Sequence, residues 1–296
     1  MSRLLGIARS ALLPALLLAP GAAAAAAKDA APTLPNAGEI KLYQSTNRVM
    51  VMMQIGDDEL VPMVFDTGSD GNTVDALVTR RHRLKRTGTV QEVDGTTGKT
   101  RMLPEVVIPD ITIGGLKAGG IKAVSVDYDR QDAMGIISSE IFTDSLLYLD
   151  LANNHAVLAP RATTPVPPGP ATAYVQDIPS VQMVMPDGST LPAHFDTGFN
   201  GELSLPVALM DKVPLMAPAK EVGRFKSINT EGPVFGGRIR GTIKIGPVTL
   251  DNPEVTFLGD LANIGLPVIR RVTLVIDPVA NRNWILEPGA RPGAAK

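Results

Sequence analysis

Short apolar runs broken by glycine, proline and aspartate turns fill this chain, and they fall into two similar sets. The run Val49–Ile55 is followed by the polar turn Gly56-Asp57-Asp58-Glu59, and the run at 181–185 by Pro186-Asp187-Gly188-Ser189. Runs this short, rich in β-branched residues and bounded by turn formers, predict strands and an all-β architecture. Helix is expected in few places. The segments 75–85 and 206–213 read as short helices, Pro206 suiting a first helical position, and 139–144 as a turn or two.

The two sets keep one order to their ends. Ile111-Thr112-Ile113-Gly114 matches Ile243-Lys244-Ile245-Gly246, and Leu146-Leu147-Tyr148-Leu149-Asp150 matches Thr273-Leu274-Val275-Ile276-Asp277. Each late aspartate is followed by a turn and a last strand, at Ala156-Val157-Leu158 or at Trp284-Ile285-Leu286. A fixed order at a nearly fixed offset is the mark of a duplicated unit. Between the sets, 159–170 carries five prolines and no apolar period, and reads as a stiff, exposed linker.

Composition narrows the function. The chain has 296 residues and a net charge of -2, and aromatic residues make up 4%. Those values allow two domains, and they argue against nucleic acid or an anionic membrane as the main partner. Without cysteine there is no disulfide, thiolate nucleophile or cysteine-bound metal. At the N-terminus, Arg3 and Arg9 precede an apolar run at 11–19, and Ala25-Ala26-Ala27 stands before Lys28. This is read as a signal peptide over 1–27 that exports the protein to the periplasm or beyond, with an uncleaved anchor as the rival reading. No stable membrane insertion is expected once the signal is removed.

The chemistry sits just after the first strands of each set. Phe65-Asp66-Thr67-Gly68 and Phe195-Asp196-Thr197-Gly198 lie 130 positions apart. Two carboxylates meeting at a pseudo-two-fold axis would share a proton, because both cannot ionise cheaply in contact. Gly68 and Gly198 would allow close backbone approach where a side chain would block the other half. Ser69 after the first triplet offers a donor to Asp66, whereas Phe199 offers none to Asp196. Asp66 is therefore expected to act as base and Asp196 to carry the proton.

The paired triplets in a two-part β chain resemble the aspartic peptidases, over nearly all of residues 40–290. Each half is similar to a retropepsin-type unit, and the duplicated chain to the pepsin-like arrangement. The resemblance implies a bilobal acid-protease fold, with two pseudo-two-fold-related, β-barrel-like lobes and a few short helices. The lobes would be 28–159 and 173–290, joined by a linker at 160–172 and followed by a tail at 291–296. It implies an endopeptidase with catalytic Asp66 and Asp196, with Thr67 and Thr197 bonded across the axis to lock the carboxyl groups coplanar. The substrate would be an extended peptide or unfolded protein, no cofactor or metal would be needed, and one chain would suffice as a monomer. Gly95, Thr96, Thr97 and Gly98 would form the tip of a flap without the tyrosine of pepsin-like enzymes, with a second-half counterpart near Asn229-Thr230-Glu231-Gly232.

Two departures stand out. Where the family passes a glycine behind each catalytic loop, the second half has Gly265 but the first has Ser138, and Asn263 replaces a hydrophobic residue. These changes, with Phe199, support the alternative of a peptide-binding or assembly module that kept the fold without catalysis. A two-carboxylate glycosidase is disfavoured, since its carboxylates stand apart instead of sharing a proton. Of the remaining features, the basic run from Arg80 to Arg86 reads as a solvated helix end. His194 reads as a satisfied packing residue, Asp150 and Asp277 as turn formers, and Trp284 as core. Met50, Met52, Met53, Met63, Met183 and Met185 read as core filler.

Overall fold

The computed structural model describes residues 37–57, 60–93, 99–128, 133–226 and 231–293. The proposed leader at 1–27, the turn Gly95, Thr96, Thr97 and Gly98, and the counterpart residues Asn229 and Thr230 lie outside the described residues. The fold is all-β and two-part. Among the described residues, strands of the first half form an eight-stranded sheet, strands of the second a nine-stranded sheet, and both ends contribute to a third of six strands.

The strand leading to the first triplet shows how sequence sets burial. In Val49–Ile55, Val49, Val51, Met53 and Ile55 are buried, and the residues between are half-buried. This period of two puts alternate side chains on opposite faces. The strand turns back antiparallel into Leu60–Asp66, with Met50 opposite Val64. It also pairs with Thr100–Ile113, which curls the first-half sheet toward a barrel. Met53, Met63, Met183 and Met185 are core residues, but Met50 and Met52 are half-buried, on the other face from the core.

Each triplet strand lies parallel to a strand from late in its own half. Leu60–Asp66 runs beside Gly135–Ser138, pairing Asp66 with Ser138. Thr190–Phe195 runs beside Asn263–Ile264, pairing Phe195 with Ile264. The triplets thus leave sheets pinned on both sides.

The six-stranded sheet joins the halves. Ser145–Asp150 from the first and Thr273–Asp277 from the second pair antiparallel, with Leu147 opposite Ile276 and Leu149 opposite Leu274. Every residue of both strands is buried, as expected of continuous apolar runs covered on both faces. Alternate residues serve different cores. Leu147, Leu149, Leu274 and Ile276 enter the main cluster, whereas Leu146, Tyr148, Val275 and Trp284 build a smaller one on the opposite face. Asp150 and Asp277 close these strands as turn formers, accepting from Asn153 N at 3.2 Å and Ala280 N at 3.0 Å. Asp277 also takes Arg161 Nε at 2.9 Å, which ties the start of the proline-rich segment to this sheet instead of leaving it free.

The helices are shorter than the sequence predicts. The first is Ala76–Arg81, capped by the Asp75 carboxylate accepting from Leu77 N at 2.7 Å. It ends because Arg83 turns left-handed at φ 50°, and Lys85–Val93 is already strand. The basic run is therefore split, with Arg80 and Arg81 in the last helical turn and Lys85 and Arg86 on a strand. The second predicted helix is a single 3₁₀ turn, Val207–Leu209, with Pro206 just before it. A helix that the sequence reading missed, Leu266–Ile269, follows Gly265 with a proline in its first turn. The halves also differ in strand length. Thr100–Ile113 and Leu116–Val126 are 14 and 11 residues long. Their second-half counterparts are broken at Gly241 (φ 112°) and at Asn252 (φ 48°) before Pro253. A left-handed residue and a missing N–H each interrupt a ladder.

Candidate active site

The structure brings the two Phe-Asp-Thr-Gly segments face to face. Thr67 Oγ1 donates to the Phe195 carbonyl at 2.6 Å and accepts from Thr197 N at 3.2 Å. Thr197 Oγ1 donates to the Phe65 carbonyl at 2.6 Å and accepts from Thr67 N at 3.0 Å. Both threonines are fully buried. Each hydroxyl therefore satisfies a donor and an acceptor of the opposite loop, and no other small side chain shaped like a core residue can do both. Four bonds of this kind cross-link the halves at the base of the site.

On this base the half-buried carboxyl groups of Asp66 and Asp196 stand side by side, both flanking Gly198. Gly68 N donates to Asp66 Oδ1 at 2.8 Å, and Gly198 N to Asp196 Oδ1 at 2.8 Å. The glycines are required by proximity. A methyl group on Gly68 would lie 2.7 Å from Asp196 Cγ, and one on Gly198 2.6 Å from Asp66 Oδ2. Burial pushes both carboxyl groups above the ordinary carboxylate range, and the negative charge of Asp66 pushes Asp196 further. The pair titrates as a unit, one proton being held where two carboxylates meet.

One expectation is corrected. Ser69 does not donate to Asp66; its hydroxyl donates to the Gly71 carbonyl at 2.7 Å, closing a turn. A hydroxyl has one proton, so the acceptor two residues on has taken it. Asp66 and Asp196 each accept a backbone amide from the glycine of their own triplet, Gly68 for the first and Gly198 for the second. The asymmetry expected from Ser69 and Phe199 is absent at the level of donors.

The unequal residues behind the loops have a packing explanation. A methyl on Gly265 would lie 2.6 Å from the ring of Phe199 and closer still to the Gly201 carbonyl, so the second half demands glycine. In the first half the residue equivalent to Phe199 is the small Ser69. Ser138 fits there fully buried, with its amide bonded to Asn72 Oδ1 at 3.0 Å and its hydroxyl capping the turn Ser139–Ile141. Large beside small in one half is small beside small in the other. His194, two residues before Asp196, is buried, and burial pushes its pKa down, so it packs as a neutral ring.

A cleft of about 440 Å³ opens beside Asp66 and Gly198, with Arg48, Asn47, Tyr128 and Asn200 among its walls. The sequence reading did not single out Arg48 or Tyr128. Tyr128 bonds the Thr73 hydroxyl, donates its amide to Asp75 Oδ2 at 3.1 Å, and has its phenol pushed up to about 12 by burial. Its signal was weak, an isolated tyrosine after a strand. Among the described residues, no three His, Asp or Glu side chains gather as a metal site would need.

In this all-β, two-part chain the two Asp-Thr-Gly loops, bonded across a common axis, bring two carboxyl groups side by side. Residues 51–141 match the aspartyl protease family. The match supports aspartic protease activity in general terms. No curated protein matches the chain.

Proposed function

We propose that this protein is an aspartic endopeptidase that hydrolyses extended peptides or unfolded proteins with the pair Asp66 and Asp196. One observation carries the reading: two half-buried carboxyl groups side by side on a base of four cross-threonine bonds. In the proposed reaction a water lies between the carboxyl groups. Ionised Asp66 takes its proton as the oxygen attacks the scissile carbonyl, and protonated Asp196 donates to the carbonyl oxygen. The tetrahedral diol then collapses with transfer of a proton to the leaving nitrogen, and the pair returns to its single-proton state. Fixed geometry keeps the reorganisation small as charge develops. Both carboxyl groups come from one chain, so a monomer suffices. The flanking hairpins, Lys85–Val93 with Thr100–Ile113 and Lys220–Lys226 with Glu231–Arg238, reach out from each sheet and provide edges for an extended peptide.

The test is inhibition. A peptide whose scissile amide is replaced by a secondary hydroxyl should block cleavage of an unstructured protein at one molecule per chain. Cleavage that continues unchanged with the inhibitor in excess would overturn the reading. The basic-apolar-alanine leader further supports export before activity. Protein recovered from a bacterial periplasm should begin at Lys28, and retention of residues 1–27 would contradict this.

A further inference from the structure

The cleft beside Asp66 has a chemical bias. Besides the carboxyl of Asp66, its polar walls among the described residues include Ser45, Asn47, Arg48, Tyr128 and Asn200, of which Arg48 carries a formal positive charge. Arg48 is half-buried, at the end of the tight turn that leads into Val49–Ile55. Half-burial weakens the screening that makes exposed charges interchangeable, so a cation there distinguishes ligands.

The turn is built to stay in place. Ser45 N donates to the Arg48 carbonyl at 2.9 Å, and Ser45 Oγ accepts from Arg48 N at 3.1 Å and from Asn47 N at 3.3 Å. A second clamp comes from the other half. Arg270, which caps the helix Leu266–Ile269, donates Nε to Gln44 Oε1 at 2.8 Å and Nη2 to the Ser45 carbonyl at 3.2 Å. A segment of the second half thus holds the start of the turn that carries Arg48.

We propose that Arg48 is a specificity-determining residue that selects peptides carrying a carboxylate at a fixed distance from the scissile bond. The carboxylate is an Asp or Glu side chain or the peptide's own C-terminus. The inference rests on the reading of this cleft as the peptide site. Arg48 has a partner within the protein, but a guanidinium carries five N–H donors in a planar fork and can hold one contact while offering a paired set to a carboxylate. A carboxylate loses its charge below about pH 4, so the selectivity should fade there.

The test separates binding from cleavage. Fluorescence polarisation of octapeptides on the full chain would compare Glu with Gln at each position, and free with amidated C-termini, at pH 6. At one position or at the C-terminus, the ionised form should bind roughly tenfold more tightly. In R48Q the ratio should collapse toward one, and in R48K it should be partly kept; thermal melting would show that both variants fold. A Glu-specific gain assigns the side chain as the ligand, and a gain lost on amidation assigns the C-terminus. Equal affinities for charged and neutral peptides in the wild type, or a preference that survives in R48Q, would overturn the proposal. Cleavage of the same peptides by the wild type reports separately on the endopeptidase reading. A silent enzyme that still prefers the carboxylate would sink that reading and leave the role of Arg48 standing.

Discussion

Asp196 is an acid held where its charged form is unwelcome, and stability should record this. Below about pH 4 the carboxyl is protonated whether the chain is folded or not. As pH rises, the unfolded chain gives up the proton while the folded chain keeps it, because burial and the Asp66 charge raise Asp196 in the fold. Proton release then favours unfolding, and the stability belonging to this group is lost as pH climbs toward its raised value. Asn has no proton to lose. The stability of D196N relative to the wild type should therefore grow from pH 4 to 7, by up to about 1.4 kcal/mol per unit. Denaturant titrations at several pH values check this, and a constant difference would contradict it. Ser69→Ala should leave the acid limb of the pH–rate profile in place, since that hydroxyl serves Gly71; a moved limb would return Ser69 to Asp66. Thr67→Val keeps the branched shape but strands the Phe195 carbonyl and the Thr197 amide. Each buried orphan costs about 1–3 kcal/mol. The melting temperature should fall, and catalysis should fall further than stability explains.

Among the elements, the loops behind the triplets respond oppositely to substitution. Gly265→Ala places a methyl against the Phe199 ring and the Gly201 backbone, neither of which is a flexible chain end. It should cost at least the roughly 1–3 kcal/mol typical of overpacking. Ser138→Gly removes a turn cap and leaves the backbone pairing intact, and should cost only about 1 kcal/mol. Equal costs measured by urea unfolding would contradict the packing account. The elements also show what was legible. Val49–Ile55 and Thr273–Asp277 were readable because their apolar pattern is set by local periodicity. The second helix was misplaced because Pro206 marks a start that tertiary pairing does not continue. The helix at Leu266 was hidden behind a glycine whose role is steric.

In the whole molecule, duplication explains most of what the sequence disclosed. Two copies of one unit place Asp66 and Asp196, Thr67 and Thr197 at matching points, and the shared six-stranded sheet sets the halves against each other. What escaped is what symmetry does not predict. Arg48 and Tyr128 reach the cleft by loops of the first half alone, and Arg270 reaches Gln44 and Ser45 from the second. Ser69 was misread because a donor near a carboxylate in sequence can find a nearer acceptor in space. The central claim is that both carboxyl groups act together on one bond. Cleavage of an unstructured protein by residues 28–296 should be compared with that by D66N and D196N from pH 3 to 7. The account expects both folded variants to lose essentially all turnover while the wild type cleaves. Turnover retained by either variant, or a folded wild type silent across a broad peptide library, would contradict it.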